Sequence, residues 1–285
     1  MGLGPHRASA RTRQTYEFGL LGPLMARDGG RAVEFGSPKH RIIVATLLLD
    51  AGRAVTVERL AETIWGDEPP RNPRRAVQLY LTRIRTLLGD GVITSRRNGY
   101  AIEAAPEQTD LGRFEFWQRQ AGQAAAMGDL DAEATMLRLA LTQWRGDPLT
   151  DVPSEALHHE DAPRLREQRL KVLDRRIRAD LRQRRYAELI SELRALTARH
   201  PFDERFRGYL MTALHAVGRR ADALETYHTA RRQLAEELGI APGEELRTLH
   251  TRILTDDGSP ACRRRWRAAS GGPGVRGAGT GRWRH

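Results

Sequence analysis

Arginine dominates the segment from Arg71 to Tyr100, RNPRRAVQLYLTRIRTLLGDGVITSRRNGY. From Arg71 through Arg97 it holds seven arginines and one acid, Asp90, which gives a local net charge of +6. A guanidinium group pairs with phosphate and bonds bidentately to guanine, so this composition suits a surface for double-stranded DNA. Charge alone does not establish that function, because only Lys39 and Lys171 among the 47 basic residues are lysine and arginine is abundant throughout.

The apolar spacing within this segment predicts an amphipathic helix from Arg74 to Leu88. One buried stripe is indicated by residues at helical spacing, namely Val77, Leu81, Ile84 and Leu88. The opposite side, here called the groove face, consists of Arg75, Leu79, Thr82, Arg83 and Thr86, with Gln78 beside them. A solvated helix face would not normally place Leu79 at its centre, whereas thymine methyl groups in a DNA groove offer it an apolar partner.

The helix supplies most of the candidate contacts to DNA, which are Arg74, Arg75, Gln78, Leu79, Thr82, Arg83, Arg85 and Thr86. Arg75, Gln78 and Arg83 are the candidates for base contacts, since arginine pairs with guanine and glutamine with adenine; contact with phosphates alone is the alternative. Leu79 could instead pack against a neighbouring helix or a second protomer. Arg85 lies near the edge of the buried stripe, which favours phosphate binding or a structural ion pair.

A short hairpin is predicted after this helix, with strands over 92–95 and 100–103 around Arg96, Arg97, Asn98 and Gly99. Arg96, Arg97 and Asn98 at its tip suit contact with phosphates or the minor groove; simple solvation of the two arginines is the alternative. Tyr100 is either a core anchor of the hairpin or a DNA contact.

The elements that must position these residues form a winged helix-turn-helix. Three short strands are predicted over 16–24, 25–27 and 32–35. A helix is predicted to start at Ser37-Pro38, a side-chain cap followed by proline at the first helical position, and to end near Gly52; a second begins after Thr56 and runs to Trp65. From about Thr109 the chain reads as helical, and QRRYAEL and GRRADAL recur 35 residues apart, close to the tetratricopeptide period. The predicted fold class is mainly α with small β: a winged helix-turn-helix followed by an all-α, tetratricopeptide-like domain.

The charge distribution suggests four segments. Of the formal charge of +11, residues 1–15 carry +3, residues 256–285 carry +5, and the remaining +3 lies before Ala105. We therefore predict a disordered basic N-terminus over 1–15, a DNA-binding domain over 16–104 and a helical domain over 105–255. A disordered Arg- and Gly-rich tail is predicted over 256–285.

Several function classes are disfavoured by the sequence. The single cysteine, Cys262, excludes a disulfide framework, and no apolar run reaches the roughly 20 residues of a membrane span. We expect an intracellular, cytoplasmic bacterial protein without a signal peptide, enzymatic activity, cofactor or metal. The run from His158 to Asp161 lacks a third ligand at a familiar spacing, and Trp65 and Trp144 are better explained as core residues than as a ligand pocket.

Several longer blocks of the sequence are distinctive. The first half contains FGLLGPL, IWGDEPP, QLYLTRIRTLLG and NGYAIE. The second half contains TDLGRFEF, LALTQWRGDPLTDV and the long block HPFDERFRGYLMTALHAVGRRADALETYHTARRQLAEELGIAPGEELRTLHTRIL. Taken together, these blocks, which run from Phe18 to Leu254, resemble the SARP family, the Streptomyces antibiotic regulatory proteins. Neither a receiver domain nor a Walker-type nucleotide loop is present, so we expect a short member without the ATPase extension.

The resemblance implies a winged helix joined to a bacterial transcriptional activation domain. It implies an activator, pathway-specific for antibiotic biosynthesis, that binds promoter direct repeats as two protomers and recruits RNA polymerase through its sigma subunit. The polymerase-facing loop would be Gly66, Asp67, Glu68, Pro69 and Pro70. Gln78, Tyr80, Arg83 and Arg85 match the family's recognition helix, whereas Leu79 and Thr82 stand where small or hydroxyl residues are common in the family.

One alternative stays open at this point: a helical-repeat interaction or signalling scaffold whose winged helix docks protein rather than DNA. The basic groove face argues for DNA, because a docking helix would expose more apolar surface.

Overall fold

The computed structural model describes residues 16–256. The predicted disordered segments over 1–15 and from 257 onward lie outside the described residues. The chain divides into two compact units, one ending at Gln183 and the other beginning at Arg184.

A three-stranded antiparallel sheet opens the first unit. Its strands are β1 (Tyr16–Gly19), β2 (Met25–Asp28) and β3 (Arg31–Ala32). In β1, Tyr16 and Phe18 are buried while Glu17 is exposed, as expected when one face of a sheet packs on a core. The predicted third strand was too long: pairing with β2 ends at Ala32, and the next residue adds one bond, from the Val33 amide to a β2 carbonyl.

Three helices follow, and they are α1 (Pro38–Leu49), α2 (Val57–Trp65) and α3 (Pro73–Leu88). The side chain of Thr56 accepts a hydrogen bond from the Arg59 amide, and that of Asn72 accepts one from the Arg75 amide. These caps satisfy amides that have no partner within the helix, which explains why α2 and α3 start where they do.

The start of α1 corrects one prediction. The hydroxyl of Ser37 makes no capping bond; instead the Ser37 carbonyl accepts from the amides of His40 and Arg41 at 3.0 and 3.3 Å. Pro38 at the first helical position explains the start without a side-chain cap, because it has no N–H to satisfy and its φ is already helical.

The hairpin after α3, here called the wing, consists of β4 (Ile93–Arg96) and β5 (Gly99–Ile102). Tyr100 exchanges two backbone hydrogen bonds with Val55, the residue just before the α2 cap, at 2.8 and 2.9 Å. Gly99 has a φ of 151°, and a Cβ there would lie 1.9 Å from the Val55 carbonyl oxygen. Glycine therefore allows the wing to approach the helix-turn-helix closely.

Three further helices complete the first unit: α4 (Asp110–Ala126), α5 (Leu130–Leu141) and α6 (Ala162–Arg182), the last preceded by a π-helical turn, Leu157–Asp161. The buried carboxylate of Asp110 accepts from the backbone amides of Leu20 and Leu21 at 2.8 and 2.9 Å and pairs with Arg145 at 3.2 Å. Residues of the winged helix and of α4–α6 share one hydrophobic core, which includes Phe18 and Phe114.

The second unit consists of α7 (Tyr186–Arg199), α8 (Glu204–Ala216), α9 (Arg220–Gln233) and α10 (Glu244–Thr255), with a π-helical turn, Leu234–Leu238, after α9. Helix α8 packs against α7, α9 and α10. This turn ends at Gly239, which is left-handed with a φ of 69°, and the Ile240 amide bonds back to the Leu234 carbonyl.

The recurring segments QRRYAEL and GRRADAL correspond to a turn that is repeated in the structure. A left-handed residue stands one position before the N-cap of three helices: Gly128 before α5, Arg184 before α7 and Gly218 before α9, with φ of 74°, 59° and 84°. Similar turns place similar helix starts, which accounts for the recurring sequence pattern. The predicted fold class is confirmed, with its winged helix and its helical part.

Candidate DNA-binding surface

The groove face of α3 is turned to solvent and its opposite stripe is buried. The predicted stripe (Val77, Leu81, Ile84 and Leu88) is completely buried, whereas all five groove-face residues and Gln78 are exposed. Leu79, at the centre of the groove face, leaves 54% of its surface accessible. The structure thus brings the groove-face residues and Gln78 together on one open surface, and Arg74 is exposed at the start of the same helix.

The groove face offers charge that is not compensated by the protein. Arg75 and Arg83 are exposed, and no hydrogen bond or ion pair of their guanidinium groups occurs among residues 16–256. The Thr82 and Thr86 hydroxyls donate to carbonyls one turn back, at 2.9 and 3.1 Å, which leaves their oxygens free as acceptors. Two cations and two acceptor hydroxyls surrounding an apolar side chain can match both the phosphates and the base edges of a duplex.

Arg85 does not lie on this surface in the same way. Its Nε donates to the carbonyl of Ile93 at 3.0 Å and its Nη2 to the hydroxyl of Ser95 at 3.3 Å, both on β4. The guanidinium also lies 5.8 Å from the ring centroid of Tyr100 on β5. Arg85 therefore joins the recognition helix to both strands of the wing. Sequence reasoning placed Arg85 at the edge of the buried stripe but had no signal for Ser95 as its partner.

The wing presents fewer free cations than its sequence suggests. Arg96 forms an ion pair with Glu103, whose carboxylate also accepts from the Thr94 hydroxyl. Arg97 and Asn98 are exposed at the tip, and no side-chain bond of theirs occurs in the described chain. Tyr100 is half-buried and packs against the hydrophobic core.

A cluster that sequence reasoning missed flanks α3 on the side away from the wing. The ammonium of Lys39 lies 5.4 Å from the Trp65 ring centroid and 5.7 Å from that of Tyr80. The ring of His40 lies 5.8 Å from that of Tyr80; His40 is only 8% exposed, and neither of its ring nitrogens has a partner among residues 16–256. Burial lowers the pKa of His40 below its usual 6.5, and the positive charge of Arg83 lowers the pKa further.

The other residues that the sequence singled out either lie in an exposed loop or make contacts within the fold. The loop from Gly66 to Pro70 is exposed throughout. Trp144 is buried edge-to-face against Phe114, with ring centroids 5.3 Å apart, which suits a core role. His158 bonds through Nε2 to the Val152 carbonyl at 2.8 Å.

Two protein families match this chain. Residues 30–102 match the family described as transcriptional regulatory protein, C terminal, and residues 109–254 match the bacterial transcriptional activator domain. The chain is 36% identical over 252 residues to the regulatory protein DnrI of Streptomyces peucetius, covering 85% of this chain and 93% of DnrI. The chain belongs to the SARP family.

Longer proteins of the SARP family are also similar to this chain. The regulatory protein AfsR of Streptomyces coelicolor is 42% identical over 241 residues, which are 84% of this chain but 24% of AfsR. The chain thus spans about a quarter of the AfsR proteins that it matches. The structure of Mycobacterium tuberculosis EmbR in complex with a low-affinity phosphopeptide superposes with a TM-score of 0.80 at 32% identity, over 90% of this chain and 70% of EmbR.

This chain thus belongs to a family of transcriptional regulators that also includes DnrI and RedD. Within residues 16–256, no helix has the length and apolar composition that crossing a bilayer requires.

Proposed function

We propose that this SARP is a sequence-specific DNA-binding activator of a secondary-metabolite (antibiotic) biosynthesis pathway. The observation that carries the proposal is the exposed groove face, whose Arg75 and Arg83 have no acid to neutralise them in the described chain. A positive, hydrogen-bonding helix surface next to a hairpin fits the major groove, with the wing reaching the backbone or minor groove beside it.

The proposed DNA contact of each side chain depends on whether that side chain is already bonded within the protein. Arg75, Gln78 and Arg83 are proposed to contact base edges, with Leu79 against a thymine methyl group. Arg97 and Asn98, together with Arg96 once its pair with Glu103 opens, are proposed to contact the backbone at the wing. Arg74, Thr82 and Thr86 complete the helix contacts, and the proposed contribution of Arg85 and Tyr100 is to hold the wing in place.

Recruitment of RNA polymerase is proposed to use the exposed loop Gly66–Pro70. Its two acids, Asp67 and Glu68, form no ion pair within residues 16–256 and so remain available to a basic partner such as the sigma subunit. Replacing both with alanine should reduce transcription from the target promoter in a purified system while leaving promoter affinity unchanged. Equal loss of both would place the loop in DNA binding instead.

The decisive experiment is selection of genomic fragments by the purified protein, read by sequencing. We expect enrichment of paired direct repeats upstream of a biosynthetic gene cluster, with two protomers bound per site. The protein would act in the bacterial cytoplasm, on the nucleoid.

The alternative, a scaffold whose winged helix docks protein, predicts no enrichment above shuffled DNA. Against it, only Leu79 and Leu87 among the large apolar residues of α3 are strongly exposed, and charged and polar residues surround them. A docking helix in a groove of another protein usually presents apolar anchors at i, i+3, i+4 and i+7, which this face does not.

A further inference from the structure

The two flanks of the recognition helix are built differently. At about 100° per residue, Tyr80 lies about 100° to one side of Leu79 and Arg85 about 120° to the other. Arg85 leads to the wing through its bonds to Ile93 and Ser95. Tyr80 leads to α1 and to the end of α2, where Lys39 and Trp65 lie. The wing therefore covers one flank of the groove face and Lys39 borders the other.

Lys39 is held by aromatic rings rather than by an acid. Its ammonium lies within 5.7 Å of the ring centroids of Trp65 and Tyr80, and these rings are themselves 6.4 Å apart. No ion pair of Lys39 occurs within residues 16–256. Ring faces attract a cation without neutralising it, so the positive charge is fixed in place but still available.

The local field on this flank is positive as well. Arg83 stands three residues after Tyr80 on α3, and residues at this spacing are neighbours on one side of a helix. The charge of Arg83 also contributes to lowering the pKa of His40, which packs against Tyr80. Lys39 and Arg83 together form a cationic edge along α3, opposite the wing. An anion approaching the groove face meets this edge without a competing carboxylate from α1 or α3, since neither helix contains an acidic residue.

The width of the DNA groove indicates which part of the duplex lies next to the cationic edge. A major groove is about 12 Å wide, and a helix with its side chains is about 10–12 Å across. A helix that fills the groove has a phosphate strand along each of its flanks. We propose that Lys39 binds a phosphodiester group on the strand opposite the wing, with Trp65 and Tyr80 as positioning residues that hold its ammonium. This inference rests on the proposed DNA binding of the groove face.

The two aromatic contacts also reduce the conformational entropy that Lys39 loses when it binds a phosphate. A lysine side chain normally loses much rotamer freedom when it binds an anion. Lys39 is already restricted in the free protein, so less freedom is lost on binding. The contact carries no base information and should therefore support all duplex sequences equally.

The first test is the salt dependence of affinity for the selected duplex, measured by fluorescence anisotropy. Lys39→Ala should lower the slope of log affinity against log salt by about 1, with an equal loss on matched and mismatched sites. Lys39→Arg should keep the slope, and Lys171→Ala is the matched control, because Lys171 is exposed and paired with Glu167 at 3.6 Å on α6. An unchanged slope for Lys39→Ala would overturn the inference.

The second test needs no substitution and uses the fact that Lys39 and Lys171 are the two lysines of the chain. An amine-acylating reagent is applied to the full-length protein with and without the selected duplex, and acylation at each lysine is followed by mass spectrometry. We expect the duplex to slow acylation of Lys39 several-fold and to leave Lys171 unchanged.

The outcomes separate this inference from the proposed function. If the protein binds the duplex tightly and selectively but Lys39 is acylated at the same rate with and without the duplex, the phosphate contact is overturned and the proposed function still stands. A wild-type protein that selects no duplex at all would overturn both.

Discussion

At the scale of single residues, Arg83 connects the groove face with its cationic edge. It is exposed, it has no ion pair among residues 16–256, and its charge reaches His40. We expect Arg83→Ala to weaken binding to the selected site by about 1–3 kcal/mol and to relax preference at one base position. Competition binding with a panel of single-base variants of the site measures both effects.

The matched control is Arg247→Ala, which removes an exposed arginine of α10 in the second unit and should leave affinity and preference unchanged. If Arg83→Ala keeps the wild-type preference at every position, Arg83 contacts phosphate alone, and unchanged affinity would remove it from the DNA surface altogether.

His40 gives the first unit a dependence on pH. Its folded-state pKa is lowered, first by burial and then by Arg83, so the folded state resists protonation more than the unfolded state does. Stability is therefore fully present above about pH 6.5, the unfolded value, and is lost as the pH falls through the lower folded value. His40→Phe keeps a ring beside Tyr80 and removes the titration.

We expect the free energy of unfolding of His40→Phe to fall less between about pH 7.5 and pH 5.5 than that of the wild type. Urea denaturation followed by tryptophan fluorescence suits this test, because the described tryptophans lie in the first unit. Titration of His250, whose pKa is also lowered by burial, is common to both proteins and cancels in the comparison. Parallel pH profiles would show that His40 does not contribute.

At the scale of elements, the wing depends on one side chain from the recognition helix. Arg85→Leu should keep some packing of the side chain but remove the bonds to Ile93 and Ser95, at a cost of roughly 1–3 kcal/mol. We expect faster hydrogen exchange of the wing amides and lower affinity for every duplex, with base preference retained.

Arg85→Lys is the informative companion, since lysine retains the charge but lacks the planar set of donors that reaches two acceptors. A direct phosphate role would be rescued by lysine, whereas a structural role would not. Wing amides that exchange at the wild-type rate in Arg85→Leu would contradict the structural role.

At the scale of the whole molecule, the winged helix shares its core and its polar bonds with α4–α6. Asp110 holds the amides of Leu20 and Leu21, Asp151 accepts from the Leu24 amide at 2.6 Å, and the Ser154 hydroxyl donates to the carbonyl of Thr63 at 2.6 Å. The compact unit accordingly runs to Gln183. The DNA-binding domain predicted over 16–104 is therefore expected to depend on the helices that follow it.

We expect a fragment of residues 1–104 to be less stable than a fragment of residues 1–183 by more than about 3 kcal/mol, because the missing helices leave buried amides unpaired and core side chains exposed. Urea denaturation of the two fragments measures the difference, and the full-length protein is the reference. Equal midpoints and slopes for the two fragments would show that the winged helix is autonomous.

Much of this architecture could be predicted because it is local in sequence. The buried stripe Val77, Leu81, Ile84 and Leu88 follows from helical periodicity alone, and α3 was predicted to within one residue of its observed start at Pro73. The same local logic predicted that α2 begins after Thr56. Family resemblance then supplied the type of regulator, because long specific blocks such as the one from His200 onward identify a family better than charge does.

The sequence by itself thus determined the winged helix, the helical second half, the family and the residues of the groove face. Only the tertiary structure decided which cations are already bound within the protein and which are free to bind DNA. Arg85 is bonded to the wing and Arg96 is paired with Glu103, whereas the ammonium of Lys39 lies against the rings of Trp65 and Tyr80 without an acidic partner among residues 16–256. The physical reason is distance along the chain. Periodicity and caps act over a few residues, whereas Lys39 and Tyr80, or Leu20 and Asp110, meet only after the helices have packed.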